Sequence, residues 1–375
     1  MPEIRNPEEQ NVLFGHQHAE QGLLDLWNKG TLAGSWLICG PKGIGKATLA
    51  YRLARFILNN GNNEGQGLFS DLSSADTLSV GEGTSVFNAV AQKSHPDLKV
   101  VERSLKEEEL KSRQAVLNAG KALDEETEKN RKRFDEIRVS DIREAEDFLR
   151  RTSANGGWRV MIIDSADDMN VEAANALLKS LEEPPEKTLM LLISHNPGKL
   201  LATIRSRCRR LNLKPVDDET VEKILRQAYP DLSDEDARSL TVLADGSPGK
   251  ALELAANGGN DLFESWLSLF SAFPDFSIPS LYDFSDKVLK DKEKLKTVQE
   301  LMLIRLTKAA IQAASGQTYH FVGDEEQITK KITSLIPVLK LMDIIDEIRS
   351  DFSDIYLDQK QVFVNACLKL QRGTK

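Results

Sequence analysis

The stretch GPKGIGKA occupies residues 40–47 and lies between two segments of different pattern. The apolar run SWLIC at 35–39 precedes it and has the length and composition of a buried strand. After it, Leu49, Leu53 and Phe56 recur at helical spacing. A strand, a glycine-rich loop and a helix in this order are typical of a phosphate-binding P-loop, in which backbone N–H groups and the helix N-terminus face the anion. The sequence therefore predicts an α/β domain with a phosphate site at this turn.

The candidate phosphate site comprises this loop, the start of the following helix and one acidic residue that comes later in the chain. Its members are Gly40, Pro41, Lys42, Gly43, Ile44, Gly45, Lys46, Ala47, Thr48 and Asp164. A P-loop usually places Ser or Thr directly after its lysine to hold Mg²⁺, but this chain has Ala47, which has no ligand atom. Thr48 follows one residue later, which turns its hydroxyl about 100° around a helix. The loop thus predicts phosphate-binding ancestry with a poor metal site, and both present-day nucleotide binding and a turn that binds nothing remain open.

A second predicted strand, WRVMIID at 158–164, ends in Asp164. A carboxylate at the end of a parallel strand lies at the edge where such sheets bind ligands, which is the form of a Walker B element. P-loop ATPases usually have a glutamate next, which polarises the attacking water, whereas this chain has Ser165. A serine cannot accept a proton at neutral pH as a carboxylate does. Asp164 is therefore interpreted as a remnant of a metal site, with a strand-end helix cap as the alternative.

Composition limits the classes of function. The chain of 375 residues is long enough for two or three domains, and its formal charge of −9 argues against a stand-alone nucleic-acid binder of the basic type. The three cysteines, which are far apart, favour neither a disulfide framework nor a metal site and suit a reducing cytoplasm. The sequence lacks an apolar run of the ~18 residues that a membrane span requires, so we expect no membrane association.

Two further motifs are more specific. The sequence LLKSLEEPP occupies residues 177–185, where the prolines end a predicted helix. The sequence TIRSRC at 203–208 includes Ser206, Arg207 and Cys208, and four arginines fall within residues 205–210.

Together with the glycine loop and Asp164, these motifs resemble the clamp-loader branch of the AAA+ ATPases, and within it the non-motor subunits of the bacterial DNA polymerase III clamp loader. The resemblance covers roughly residues 12–58 and 137–255. It implies an AAA+ P-loop domain with a parallel sheet at 1–213, a three-helix lid at 214–258 and an all-α collar domain for oligomerisation at 259–375. Residues 103–136, with nine acidic and nine basic residues, form an insertion outside the family pattern. The four-cysteine zinc module common in the family has no counterpart after the P-loop helix, so no zinc is expected.

The resemblance also implies a function. Active clamp-loader ATPases carry an arginine for the γ-phosphate two residues after a Gly-Ser pair; Gly249 occupies that place in this chain, beside Lys250. With Ala47 and Ser165, this is a third departure from an active ATP site, so we expect no intrinsic ATPase. Arg207, in contrast, is expected to act in trans as an arginine finger on a neighbouring ATPase subunit. The implied partners are gamma/tau-type and delta-type subunits in a hetero-oligomeric ring in the cytoplasm, with the sliding clamp and primer-template DNA reached through the complex.

Two alternatives belong to other classes. A catalytically active motor subunit of the gamma/tau type would require Thr48 or Asp167 to replace the missing groups. A stand-alone P-loop kinase or nucleotidyltransferase is less favoured, because nothing after the P-loop resembles a site for an acceptor substrate. No polymerase active site is visible in the sequence, so polymerase activity would belong to the holoenzyme.

Overall fold

The computed structural model describes residues 5–61, 75–120, 123–124, 127–128, 131–153, 156–288, 291–353 and 357–374. The chain divides into two compact units, Met1–Val216 and Asp217–Lys375. We describe each unit by itself.

The first unit contains a parallel sheet of five strands. They are β1 (Gly34–Cys39), β2 (Leu98–Val101), β3 (Arg159–Asp164), β4 (Thr188–Ser194) and β5 (Arg209–Asn212). Their order across the sheet is β2-β3-β4-β1-β5, with β1 paired to both β4 and β5. Because all five run in the same direction, the ends of β1, β3 and β4 meet at one edge, where the glycine loop and Asp164 lie.

Helices cover both faces of this sheet. They are α1 (Gln17–Asn28), α2 (Lys46–Asn60), α3 (Ser85–Ala91), α5 (Val139–Arg150), α6 (Val171–Glu182) and α7 (Ala202–Arg207), whereas α4 (Glu107–Asn118) lies in the charged insertion. Alternate residues of each strand enter different cores: Ile38 packs with α1, α2 and α3, whereas Leu37 packs with α5, α6 and α7. Strands that are buried on both faces read as continuous apolar runs, which is why the runs at 35–39 and 158–164 predicted β1 and β3.

Within the charged insertion, the described residues form one exposed helix attached at its base. Helix α4 has no buried residue. At the base, Leu105 and Arg133 form an isolated antiparallel bridge, and the nearly buried side chain of Arg131 pairs with Glu109 and Glu128. Residues 121–122, 125–126 and 129–130 of the insertion lie outside the described part of the chain.

Every regular element described in the second unit is a helix. The helices are α8 (Asp218–Ala228), α9 (Asp234–Ala244), α10 (Pro248–Ala256), α11 (Gly259–Ser271), α12 (Ile278–Val288), α13 (Lys292–Ser315), α14 (Glu325–Leu335), α15 (Val338–Ser353) and α16 (Gln359–Gly373). Phe263, Trp266 and Phe270 are buried and stack along α11. The parallel sheet and this all-helical unit confirm the predicted fold class, while the division into a lid at 214–258 and a collar at 259–375 stays a prediction.

Among the described residues, none of the helices combines the length and the apolar character that crossing a membrane would require.

Candidate functional site

The glycine loop has a backbone that requires glycine. Gly40, Gly43 and Gly45 have φ angles of 147°, 80° and 101°, and Gly45 is the N-cap of α2. A Cβ on Gly40 would lie 2.6 Å from the carbonyl oxygen of Leu213, so the loop also needs glycine for space. The predicted strand-loop-helix geometry is present, and it places the N-terminus of α2 directly after the end of β1.

Lys46 lies across this loop. Its Nζ donates to the carbonyl oxygens of Gly40 at 2.8 Å and Pro41 at 2.5 Å, and the residue is only 3% exposed. Desolvation lowers the pKa of Lys46 to about 8, although Asp164 and Asp167 act in the opposite direction. A phosphate would have to replace the two carbonyl oxygens as the partner of the ammonium group.

The neighbours of Lys46 fit a phosphate better than a metal ion. Ala47 packs against the apolar core on the α2 side of the sheet, and Thr48 is half-buried in the following position. Pro41 and Lys42 are exposed at the tip of the loop, and Ile44 is buried beneath it. Mg²⁺ would find no hydroxyl at the usual position after the lysine, so the residues present do not fit a metal-nucleotide complex bound as in an active ATPase.

His16 supports the loop from the N-terminal segment. Its Nε2 lies 2.7 Å from the carbonyl oxygen of Ile44, and the residue is buried. Desolvation lowers the pKa of His16, which favours the neutral ring. Sequence reasoning could not place His16 at the loop, because His16 and Ile44 are 28 positions apart and share no motif.

Asp164 and Ser165 lie at the end of β3. The half-buried Asp164 has a pKa raised by desolvation, and it interacts electrostatically with Lys46. The Oγ of Ser165 lies 3.3 Å from Asp164 Oδ1 and 2.9 Å from Nε2 of His195, which follows β4. The position that holds a glutamate in active ATPases is thus occupied by a hydroxyl paired with an imidazole.

This pair is uncharged at neutral pH. Desolvation of its ring, together with the nearby charge of Lys46, lowers the pKa of His195 to about 4. The neutral ring carries no negative charge and its Nε2 already contacts Ser165 Oγ, so it does not replace the missing carboxylate. Sequence reasoning missed His195, whose signal was its position directly after the apolar run TLMLLIS at 188–194.

Asp167, offered above as a substitute for the missing glutamate, has another task. Its carboxylate accepts from Ser194 Oγ at 2.7 Å and from the backbone N–H groups of His195 and Asn196. These bonds fix the end of β4 to the turn after β3, so both carboxylate oxygens are already engaged.

In the second unit, Gly249 leaves no side chain at the expected place of the γ-phosphate arginine. Lys250 beside it is largely buried, its Nζ lies 4.0 Å from Glu300 Oε2, and desolvation lowers its pKa. Lys250 therefore interacts with α13 of its own unit, and this contact makes it a poor replacement for the missing arginine.

Arg207 is the last residue of α7 and lies at the surface. Its Nη1 donates to the carbonyl oxygen of Thr203 at 3.0 Å, and its Nη2 lies 2.5 Å from Glu182 Oε1 at the end of α6. A third of the Arg207 side chain is exposed (33%). Neither partner belongs to the glycine loop, so the structure does not bring Arg207 into the phosphate site formed by its own chain.

The residues around Arg207 hold α7 and β5 in place. Ser206 Oγ donates to the carbonyl oxygen of Thr203 at 3.0 Å. Cys208 is buried in the core on the α6 side, and desolvation raises the pKa of its thiol to about 12, so it is a packing residue. Arg209 donates to the carbonyl oxygen of Thr31 at 2.7 Å and lies over the ring of Trp36, which fixes the edge strand.

In the described part of the chain, no group of three or more His, Cys, Asp or Glu side chains is arranged to hold a metal ion.

Comparisons with known proteins agree with this geometry. A family model described as DNA polymerase III, delta subunit matches residues 15–217, which is more than half of the chain. The DNA polymerase III subunit delta' of Pseudomonas aeruginosa strain PAO1 is 34% identical over 226 residues, which cover 60% of this chain and 57% of that protein. In Escherichia coli K12, subunit delta' is 38% identical over 116 residues, which cover 31% of this chain and 34% of that protein.

Other DNA polymerase III subunits also match. Subunit tau of Escherichia coli K12 is 38% identical over 116 residues, or 30% of this chain and 18% of that protein. A gamma-subunit-related protein of Thermotoga maritima aligns with 94% of this chain and all of its own at 19% identity and a TM-score of 0.40, a likeness from which we draw no conclusion. The chain spans between 18% and 67% of the length of these curated relatives, and 57% of the Pseudomonas aeruginosa subunit. Since the family model covers over half of its length, the chain belongs to the DNA polymerase III, delta subunit family, in which its resemblance is to the delta' subunits.

Proposed function

We propose that this protein is a non-motor subunit of the DNA polymerase III clamp loader that supplies Arg207 to the ATP site of a neighbouring motor subunit. The observation that carries the proposal is the contrast between two sites of one domain. The chain's own phosphate site has no hydroxyl at Ala47 and no carboxylate at Ser165, whereas the guanidinium of Arg207 is intact and partly exposed.

The chemistry of this contribution is electrostatic. A guanidinium is always charged and presents several N–H donors in one plane, so it suits a phosphate whose charge grows during transfer. In GTPases, an arginine supplied in trans accelerates hydrolysis by about 10³–10⁵-fold. Arg207 would act on the γ-phosphate of the neighbour, and no step of this mechanism runs through a nucleotide bound to its own chain.

The partners follow from the same role. The protein would assemble in the bacterial cytoplasm with gamma/tau-type motor subunits and a delta-type subunit, and would reach the sliding clamp and primed DNA through that complex. ATP binding at the shared site would favour opening of the clamp and binding of DNA. Its own loop would keep at most a weak, metal-poor nucleotide site.

The test uses the clamp loader reconstituted from this chain and the other subunits of its organism. We expect Arg207→Ala to lower DNA-stimulated ATPase activity and clamp loading while the assembly still forms. Arg143→Ala is the matched control, because Arg143 is an exposed arginine on α5 of the same domain. Normal ATPase activity and loading by Arg207→Ala would contradict the proposal.

A motor subunit is the second candidate, and the match to subunit tau favours it. ATP turnover by the purified chain alone distinguishes the two functions. A motor subunit hydrolyses ATP with Mg²⁺ in a reaction that Lys46→Met abolishes, whereas the non-motor subunit shows no turnover above that of the variant.

A further inference from the structure

Glu182 is the ionic partner of Arg207. It is the last residue of α6, and Pro184 and Pro185 follow two and three positions later. Its carboxylate Oε1 lies 2.5 Å from Nη2 of Arg207, and about half of its side chain is exposed (48%). The adjacent Glu183 is also exposed, but the carboxylate in the ion pair with Arg207 is that of Glu182.

The position of Glu182 is unfavourable without a nearby cation. The C-terminal end of a helix carries partial negative charge, which repels a carboxylate in the last turn. Two consecutive acidic residues occupy this end of α6. Arg207, together with Lys179 in the last turn of α6, offsets that repulsion, and Glu182 in turn neutralises the partly exposed guanidinium.

We propose that Glu182 is a positioning residue that binds the Arg207 guanidinium when no nucleotide occupies the neighbouring site. Glu182 then competes with the neighbouring subunit's triphosphate for the guanidinium of Arg207. This inference rests on the proposed function of Arg207. An exposed ion pair shifts an equilibrium by about fivefold at most, so the pair is readily exchanged. A triphosphate carries several negative charges and therefore outcompetes one carboxylate. The bond from Arg207 Nη1 to Thr203 keeps the side chain oriented during the exchange.

Competition predicts a specific kinetic signature. In the reconstituted clamp loader, Glu182→Gln should lower KM for ATP by about two- to fivefold. It should leave kcat unchanged, because the ATP-bound state and the transition state both lack the contact with Glu182. The change should shrink as salt is added, since salt screens the carboxylate in the parent protein. Glu183→Gln is the matched control with the same charge change one residue away, and it should leave KM unchanged.

A double variant shows whether the effect passes through Arg207. Glu182→Gln should alter KM in the parent background and have no effect on top of Arg207→Ala. A fall in kcat for Glu182→Gln, or a KM equal to that of Glu183→Gln, overturns the inference. If Arg207→Ala impairs ATPase activity but Glu182→Gln does not differ from the control, only this inference fails. If Arg207→Ala has no effect, the proposed function fails with it.

Discussion

Ser165 and His195 join the ends of two neighbouring strands through a side-chain contact of 2.9 Å between Oγ and Nε2. Ser165 follows β3 and His195 follows β4, and these strands pair in the centre of the sheet. The contact occupies the place where an active P-loop ATPase needs a free carboxylate. An uncharged pair thus occupies this position in the folded chain.

This arrangement predicts that a carboxylate is not easily restored. Ser165→Glu would place a second acidic group beside Asp164, whose pKa is already raised by desolvation. We expect Ser165→Glu to lower the free energy of unfolding by about 1–3 kcal/mol more than Ser165→Ala at pH 7. Repulsion raises the pKa of the pair, so the folded chain binds more protons than the unfolded one and the penalty should shrink at pH 5. Urea unfolding of Ser165→Glu and Ser165→Ala at pH 7 and pH 5 measures this penalty. Equal free energies of unfolding for the two variants at pH 7 would contradict the prediction.

Lys46 gives a second prediction, for alkaline pH. The pKa of Lys46 is about 8 in the folded chain, against an ordinary value of 10.5 that applies to the unfolded chain. Between pH 8 and 10.5 the unfolded chain therefore holds one more proton than the folded chain. The free energy of unfolding should therefore rise with pH across that window by up to ~3 kcal/mol, relative to Lys46→Met. The comparison removes the titration of all other groups. A difference between the two proteins that stays constant from pH 8 to 10 would show that Lys46 is not desolvated.

The second unit contains a buried ion pair that predicts a large loss of stability. Arg305 Nε lies 3.4 Å from Glu325 Oε1, and both side chains are only 2% exposed. Arg305→Met leaves an uncompensated carboxylate in the interior, and we expect a loss of about 3–5 kcal/mol in the free energy of unfolding. Arg305→Met combined with Glu325→Gln should recover part of this loss. Arg349→Met, which breaks the exposed pair with Asp346, should cost no more than ~0.5 kcal/mol.

The sequence was informative where structure depends on local pattern. The apolar runs at 35–39 and 158–164 predicted β1 and β3, and the spacing of glycines and of Lys46 predicted the strand-loop-helix turn, because periodicity and turn chemistry are local properties. It was uninformative about partners distant in the chain. His16 reaches Ile44 across 28 positions and Ser165 reaches His195 across 30, and no pattern in a single sequence encodes such contacts. The pairing of Glu182 with Arg207 was likewise invisible, although both motifs had been identified.

The central claim is that Arg207 completes one ATP site outside its own chain. The most direct measurement is the burst of ATP hydrolysis in a single round by the reconstituted clamp loader bound to clamp and primed DNA, with Arg207→Ala compared with the parent protein. We predict that the burst falls by one ATP per assembly, since the site that uses Arg207 no longer hydrolyses its ATP within the time of the burst. A burst of unchanged size and rate would contradict the account.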